Sequence, residues 1–112
     1  MVKVSFPSKQ EKACERKKLD RLRSSQSFQD IFKDKMGDYE IHHNIPISIG
    51  GKTEINNLHA IQEDLHYWLH AYVLTPQIDR GDSEIFIPDF QSIIVDDTEF
   101  WDKITEYFER QR

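Results

Sequence analysis

Cysteine is nearly absent from this 112-residue chain: Cys14 stands alone, which excludes an internal disulfide framework and a Cys-rich zinc site. Long apolar runs are missing as well. None nears the roughly eighteen residues of a membrane span, and the N-terminus has no signal-peptide hydrophobic region. Internal repeats, low-complexity tracts and a dividing linker are also lacking, and with this length that leaves one domain with one modest core. An apolar share of 38% is too high for a disordered chain. Positive charge is in deficit, with 15 Lys and Arg against 20 Asp and Glu. The resulting −5 argues, as an average, against a nucleic-acid partner.

That average hides an asymmetry. Residues 1–23 carry Lys3, Lys9, Lys12, Arg16, Lys17, Lys18, Arg21 and Arg23 against three acids, a net +5. Residues 79–112 hold ten acids and four bases, a net −6. Such a split suits a basic arm for a polyanion and an acidic segment with another task; two solvated helix faces are the plainer alternative. The histidines are more telling. His42, His43, His59, His66 and His70 all fall within residues 42–70, and no other position has one. Histidine is the commonest metal ligand and the side chain most easily used as a base near neutral pH.

Local patterns place these residues. Residues 8–23 read as a surface helix opened by Ser8 and Glu11, a capping-box spacing. Ser27 is expected to cap a short helix with Phe28, Ile31, Phe32 and Met36 as its buried stripe and Gly37 as its C-cap. Residues 39–45 read as a strand stopped by Pro46, Gly50-Gly51 as a turn, and residues 58–61 as a second strand. Residues 62–74 form a helix with Leu65, Trp68, Leu69, Tyr72 and Val73 inward, ended by Thr75-Pro76. Residues 85–87 and 92–95 read as strand or extended loop. Asp96 and Glu99 then open a last helix with Phe100, Trp101, Ile104, Tyr107 and Phe108 on one face. Trp68, Trp101 and the phenylalanines are expected in the core. The fold class is α+β.

Strand, turn, strand, helix therefore carries histidines at both ends. His66 and His70, four apart, lie on the flank of the helix's apolar stripe, where two imidazoles can ligate one cation from consecutive turns. A catalytic metal needs a third ligand and an open position, and His42 or His43 can supply that ligand. Adjacent strand residues face opposite ways, so one should reach the metal while the other acts as a base on water. Asn57 is placed to tie the Gly-Gly loop to the strand through its amide and so fix the ring of the base. Glu40, on the same strand face as His42, can orient that ring or bond another polar group.

Glu40-Ile41-His42-His43-Asn44-Ile45-Pro46-Ile47-Ser48-Ile49-Gly50-Gly51, then Asn57-Leu58, then His66-Tyr67-Trp68-Leu69-His70, resembles the HNH (ββα-metal, His-Me finger) nuclease motif. The likeness is greatest to the nuclease domains of DNase colicins, pyocins and related polymorphic bacterial toxins, and it spans about 31 of the 112 residues. It implies a small ββα-metal core at residues 38–75, between a basic helical arm at 1–37 and an acidic extension at 76–112. It also implies His43 as general base, Asn57 as loop anchor, Glu40 as the acid before the histidine pair, and His42, His66 and His70 as ligands of one divalent ion. Zn²⁺, Ni²⁺, Co²⁺, Mg²⁺ and Mn²⁺ all stay open.

The implied activity is hydrolysis of DNA with little sequence specificity, by a monomer with no membrane partner. The domain would be cytoplasmic, or the toxic end of a larger secreted effector held in check by an immunity protein. A stand-alone phage or restriction-type HNH nuclease, and a silent metal-stabilised nucleic-acid-binding module, are the rivals. Phosphate contacts are assigned to Lys12, Arg16, Lys17, Arg21 and Lys35. The family often has an Arg four residues before the Glu; Met36 stands there, so Lys35 or an arm residue is expected to take its place. Toxin domains are strongly basic and end soon after the last histidine, whereas 42 residues follow His70 here. His59 has no motif position and reads as a surface or strand residue. Removing residues 1–23 is expected to weaken DNA binding and flatten its salt dependence. Trimming residues 79–112 is expected to do neither while the core holds.

Overall fold

The computed structural model describes residues 1–32 and 39–111. Its centre is a hairpin of β2 (Tyr39–His43) and β3 (Leu58–Gln62), paired antiparallel with Tyr39 opposite Gln62, His42 opposite His59 and His43 opposite Leu58. Alternation along the two strands gives the hairpin two working faces. Ile41, Leu58 and Ala60 meet Phe28 and Phe32 of α2 (Gln26–Phe32) and Leu19 and Leu22 of α1 (Lys9–Arg23) in one apolar cluster. Ile61 turns the other way, into a larger cluster with Leu65 and Leu69 of α3 (Glu63–Leu69). Four of the five β3 residues are buried, as covering on both faces requires.

Cap chemistry sets the helix starts. Ser8 Oγ accepts from the Glu11 amide and Glu11 Oε1 from the Ser8 amide, both at 3.1 Å, which closes the expected capping box on α1. For α2 the cap is Ser25 rather than Ser27: Ser25 Oγ accepts from the Phe28 amide at 3.2 Å, so the helix begins two residues earlier. Met36 and Gly37, given to the end of this helix, lie outside the described residues.

The helix after β3 does not stop at Thr75-Pro76. α3 runs into a π turn (His70–Leu74) and on into α4 (Thr75–Asp79), with Pro76 in the first turn of that last segment. A proline inside a helix loses one hydrogen bond and crowds the carbonyl four residues back. The wider π turn just upstream makes room for the ring, and the Thr75 amide bonds to the His70 carbonyl. Buried Gln77 completes this junction. Its amide donates to the carbonyls of Val73 at 2.9 Å and Phe86 at 3.0 Å and accepts from the Phe86 amide at 2.8 Å. The inward stripe changes accordingly: Leu65, Leu69, Val73 and Leu74 are buried, whereas Tyr72 is 55% exposed.

Neither terminus is an appendage. β1 (Val2–Lys3) pairs antiparallel with β4 (Glu84–Ile85), and the Ser5 amide bonds to the Ile49 carbonyl at 3.0 Å, which straps the chain start across the Gly-Gly loop. The 92–95 segment lies parallel beside β3 through one bridge, Ala60 to Ile94. Asp96 then caps α5 (Asp97–Arg110), while the Glu99 carboxylate turns away to accept from the Gln91 and Ser92 amides at 2.6 and 3.2 Å. Ile85, Ile87, Phe90, Val95, Phe100, Ile104 and Tyr107 supply more than half of the larger core cluster. The condition set on trimming residues 79–112, that the core holds, is therefore not met: the segment is acidic outside and apolar inside.

Core membership is narrower than expected. On α5, Phe100, Ile104 and Tyr107 are buried, but Trp101 and Phe108 sit at the edge of the stripe, about 40% exposed. They gather round half-buried Trp68, whose ring centre is 4.9 Å from Trp101 and 5.9 Å from Phe108. Phe6 is exposed. Truncating a buried side chain of α5 gives a direct check on this packing. Phe100→Ala should lower the unfolding free energy by about 3–5 kcal/mol in denaturant titration, while Asp102→Asn changes it by less than about 0.5 kcal/mol.

Candidate metal centre

The loop between the strands is built by close backbone approach. A Cβ on Gly51 would overlap the Ile45 carbonyl, and Gly50 has φ +106°, so both positions need glycine. Asn57 then fastens the loop from inside. Its Oδ1 accepts from the Ile45 amide at 2.9 Å, and its Nδ2 donates to the carbonyls of Ile45 at 3.2 Å and Lys52 at 2.7 Å. The expected tie between loop and strand is thus present; the Asn57 side chain bonds backbone groups of Ile45 and Lys52 rather than the His43 ring.

Leu65, Leu69 and Val73 seat the helix after β3 in the core, and this carries His66 and His70 to the end of β2. There His42, His66 and His70 lie close enough to hold one metal ion, with one ligand nitrogen from each within 4.8 Å of the others. Ring centres are 4.9 Å apart for His42 and His66, 5.5 Å for His42 and His70, and 4.8 Å for His66 and His70. The planes stand at 65–89° to one another, so the rings converge edge to face rather than stack. With His43, Ile41, Pro46 and Ile47 they line a cavity of about 240 Å³. A larger cavity, about 740 Å³, opens beside His59, Asn44 and Phe90, away from this trio.

The polar partners orient the rings. His66 Nδ1 lies 3.3 Å from Glu40 Oε1, and a carboxylate there keeps the hydrogen on Nδ1 and leaves Nε2 bare. That Nε2 is 3.2 Å from His42 Nδ1, while the enclosed His42 Nε2 has no partner among the described residues. With His66 Nε2 bare, His42 Nδ1 donates to it in the metal-free chain, and the buried His42 Nε2 left without a partner costs about 1–3 kcal/mol. Nitrogen donors held in this way suit a cation. Glu40 is thus found on His66 rather than His42.

Burial pushes the His42 pKa well below its ordinary 6.5, and the neighbouring His66 and His70 push the same way. His70 is lowered by burial and then by His66, with Glu40 partly opposing. His43 is also lowered by burial, against a smaller pull from Glu15.

His43 points to the opposite side of β2 from His42, as strand alternation requires, and its Nε2 lies 3.0 Å from Thr53 Oγ1. Thr53 in turn is held by α1: its amide donates to Glu15 Oε1 at 2.6 Å and its hydroxyl to the Glu15 carbonyl at 2.9 Å. The Lys18 ammonium and the Thr53 amide hold the Glu15 carboxyl below the usual carboxylate range. Sequence reasoning missed both Glu15 and Thr53. One signal was available, since Glu15 falls on the same helix stripe as Leu19 and Leu22, where an acid is out of place.

His59 is a strand residue but not a surface one: it is 7% exposed, packs against Phe90, and its Nδ1 bonds to the Ser92 carbonyl at 2.9 Å. On α1, Lys12 and Arg16 fall within about 40° of each other by helical geometry, in a stripe with Lys9 and Arg23. Lys17 and Arg21 lie more than about 90° further round, so the four assigned cations do not share one face. Lys35 lies outside the described residues. Compared with protein-family models, curated protein sequences and solved structures, the chain matches none.

The depressed histidine pKa values fix a pH dependence. Above pH 6.5 the buried rings are neutral in folded and unfolded chains alike. As pH falls through 6.5 the unfolded chain takes up protons first, so folding loses stability. Urea titrations of metal-free protein should show stability falling between about pH 6.5 and 5, by up to about 1.4 kcal/mol per pH unit for each such ring. His42→Leu should flatten the slope, and an unchanged slope would place the lost stability elsewhere.

Proposed function

We propose that this chain is a metal-dependent endonuclease of the HNH type that hydrolyses DNA with little sequence specificity. The observation that carries the reading is the pairing of a three-histidine cluster with a fourth histidine, His43, one residue from a cluster member and lining the same cavity. The resemblance of residues 40–70 to the HNH motif supports the same assignment of roles.

His42, His66 and His70 would hold the ion, and Glu40 would fix the His66 ring. When bound, a divalent ion supplies positive charge to a phosphate oxygen of the scissile group. His43, neutral at physiological pH because of its burial, takes the proton from an attacking water. Asn57 keeps the loop beside His43 in register through its bonds to Ile45 and Lys52. Three imidazoles suit Zn²⁺, Ni²⁺ or Co²⁺, and a site with open positions also runs on Mg²⁺ or Mn²⁺. As toxin resemblance implies, the domain is read as the toxic part of a bacterial effector, with an immunity protein as its natural inhibitor.

Nicking of supercoiled plasmid across a metal series tests the activity. Wild type should nick with metal and stop with chelator, and His43→Ala should lose about 100-fold or more while still binding one equivalent of zinc. A wild type that binds zinc and DNA but never cleaves would favour the silent binding module.

The phosphate surface has its own test. Deleting residues 1–23 also removes Glu15 from Thr53, so charge neutralisation is the cleaner change. Lys12→Gln with Arg16→Gln should weaken DNA binding uniformly across sequences and reduce the slope of log K against log salt by about two. No change in slope would remove these two cations from the interface.

A further inference from the structure

We propose that Thr53, clamped by Glu15 of the N-terminal helix, is a positioning residue that sets the tautomer of His43 and leaves its Nδ1 as the basic nitrogen. This rests on the reading of His43 as the general base. Two hydrogen bonds in series, joining three groups, fix the direction of each proton. The Glu15 carbonyl can only accept, so the hydroxyl hydrogen of Thr53 is directed to it, across 2.9 Å. A hydroxyl has one hydrogen, and Thr53 Oγ1 therefore meets His43 Nε2, 3.0 Å away, with a lone pair. All three groups are satisfied only when Nε2 carries the ring hydrogen. Nδ1 is then bare, and among the described residues it has no partner.

The clamp is stiff because one residue grips Thr53 twice. The Glu15 carboxylate accepts from the Thr53 amide at 2.6 Å while the Glu15 carbonyl takes the hydroxyl. Lys18, 2.9 Å from the other carboxylate oxygen, balances the charge of the largely buried Glu15. Thr53 is 9% exposed, so water competes weakly for its hydroxyl. The helix that sequence reading treats as a phosphate-binding arm is in this way also the wall against which the base is set. Lys9, Arg16, Lys17, Arg21 and Arg23 are exposed, and its one buried acid faces Thr53.

Long-range proton–nitrogen correlation spectra of the full, metal-free chain carrying nitrogen-15 histidine read the tautomer directly. They are recorded well above the histidine titration range, where the ring is neutral. Wild type and Thr53→Ser should both show His43 with hydrogen on Nε2 and none on Nδ1. Thr53→Val, which keeps the shape and loses the hydroxyl, should show mixed tautomers. Its plasmid cleavage should slow on the order of 10- to 100-fold, with unchanged zinc affinity, and Thr53→Ser should recover most of that rate. Hydrogen on Nδ1 in the wild type overturns the proposal, and so does a Thr53→Val protein with wild-type tautomer and rate. The wild-type spectrum decides the tautomer even where Thr53→Val fails to fold. Because that spectrum needs no cleavage, a wild type without nuclease activity would remove the nuclease reading and leave the tautomer result standing.

Discussion

The register of β2 on β3 is the constraint on which the rest of the molecule hangs. With His42 opposite His59 and His43 opposite Leu58, one imidazole faces the helix that carries His66 and His70 and the next faces α1. A slip of one residue would exchange the two faces, putting His43 against α3 and His42 against Thr53. Two devices hold the register. Gly51 lets the loop backbone press onto the Ile45 carbonyl, closer than any side chain allows. Asn57 joins Ile45 to Lys52, and the Asn44 amide bonds to the Asn57 carbonyl at 2.8 Å. The apolar faces then reinforce it, since Ile41 and Ala60 must meet the phenylalanines of α2.

From that hairpin the two halves of the site are delivered by different packing. The helix after β3 is seated by Leu65, Leu69 and Val73 against residues of the C-terminal segment, and the rigidity of that core sets where His66 and His70 stand. Crowding three imidazoles round the buried His42, one nitrogen of which is left without a partner among the described residues, opposes folding of the metal-free chain. A cation shared by the three rings would relieve the crowding, so binding and folding would be coupled. The other half depends on α1, whose Glu15 reaches across 38 positions of sequence to hold Thr53.

Where information was local, the amino-acid sequence carried it. The α+β class, the two strands, the Ser8–Glu11 box and the Asp96 cap follow from alternation, turn glycines and capping spacing. Helix periodicity pairs His66 with His70 and leaves His42 or His43 as the third member, and the choice of His42 came from the resemblance to the HNH motif. What was not legible depends on partners far away in sequence. Glu15 reads as one acid among cations until Thr53 is beside it. The apolar spacing marked Phe100 and Ile104 as one face of the last helix, but not that this face, with Phe90 and Val95, packs into one cluster with Leu65 and Leu69; one face of a helix can be acidic while another is buried. Pro76 reads as a stop signal, and only the π turn before it, secured by Gln77, lets the helix pass. Trp101 and Phe108 lie at the border of an apolar stripe, where composition gives no sign of which side is covered.

The central claim is that His42, His66 and His70 bind one divalent ion together and leave a position open for water or substrate. X-ray absorption at the zinc edge of the zinc-loaded protein tests it most directly. The account predicts three imidazole nitrogens and one further light atom at about 2.0–2.1 Å, with the imidazole count falling in His70→Ala. A shell with one imidazole or none, or one that His70→Ala leaves unchanged, would contradict it.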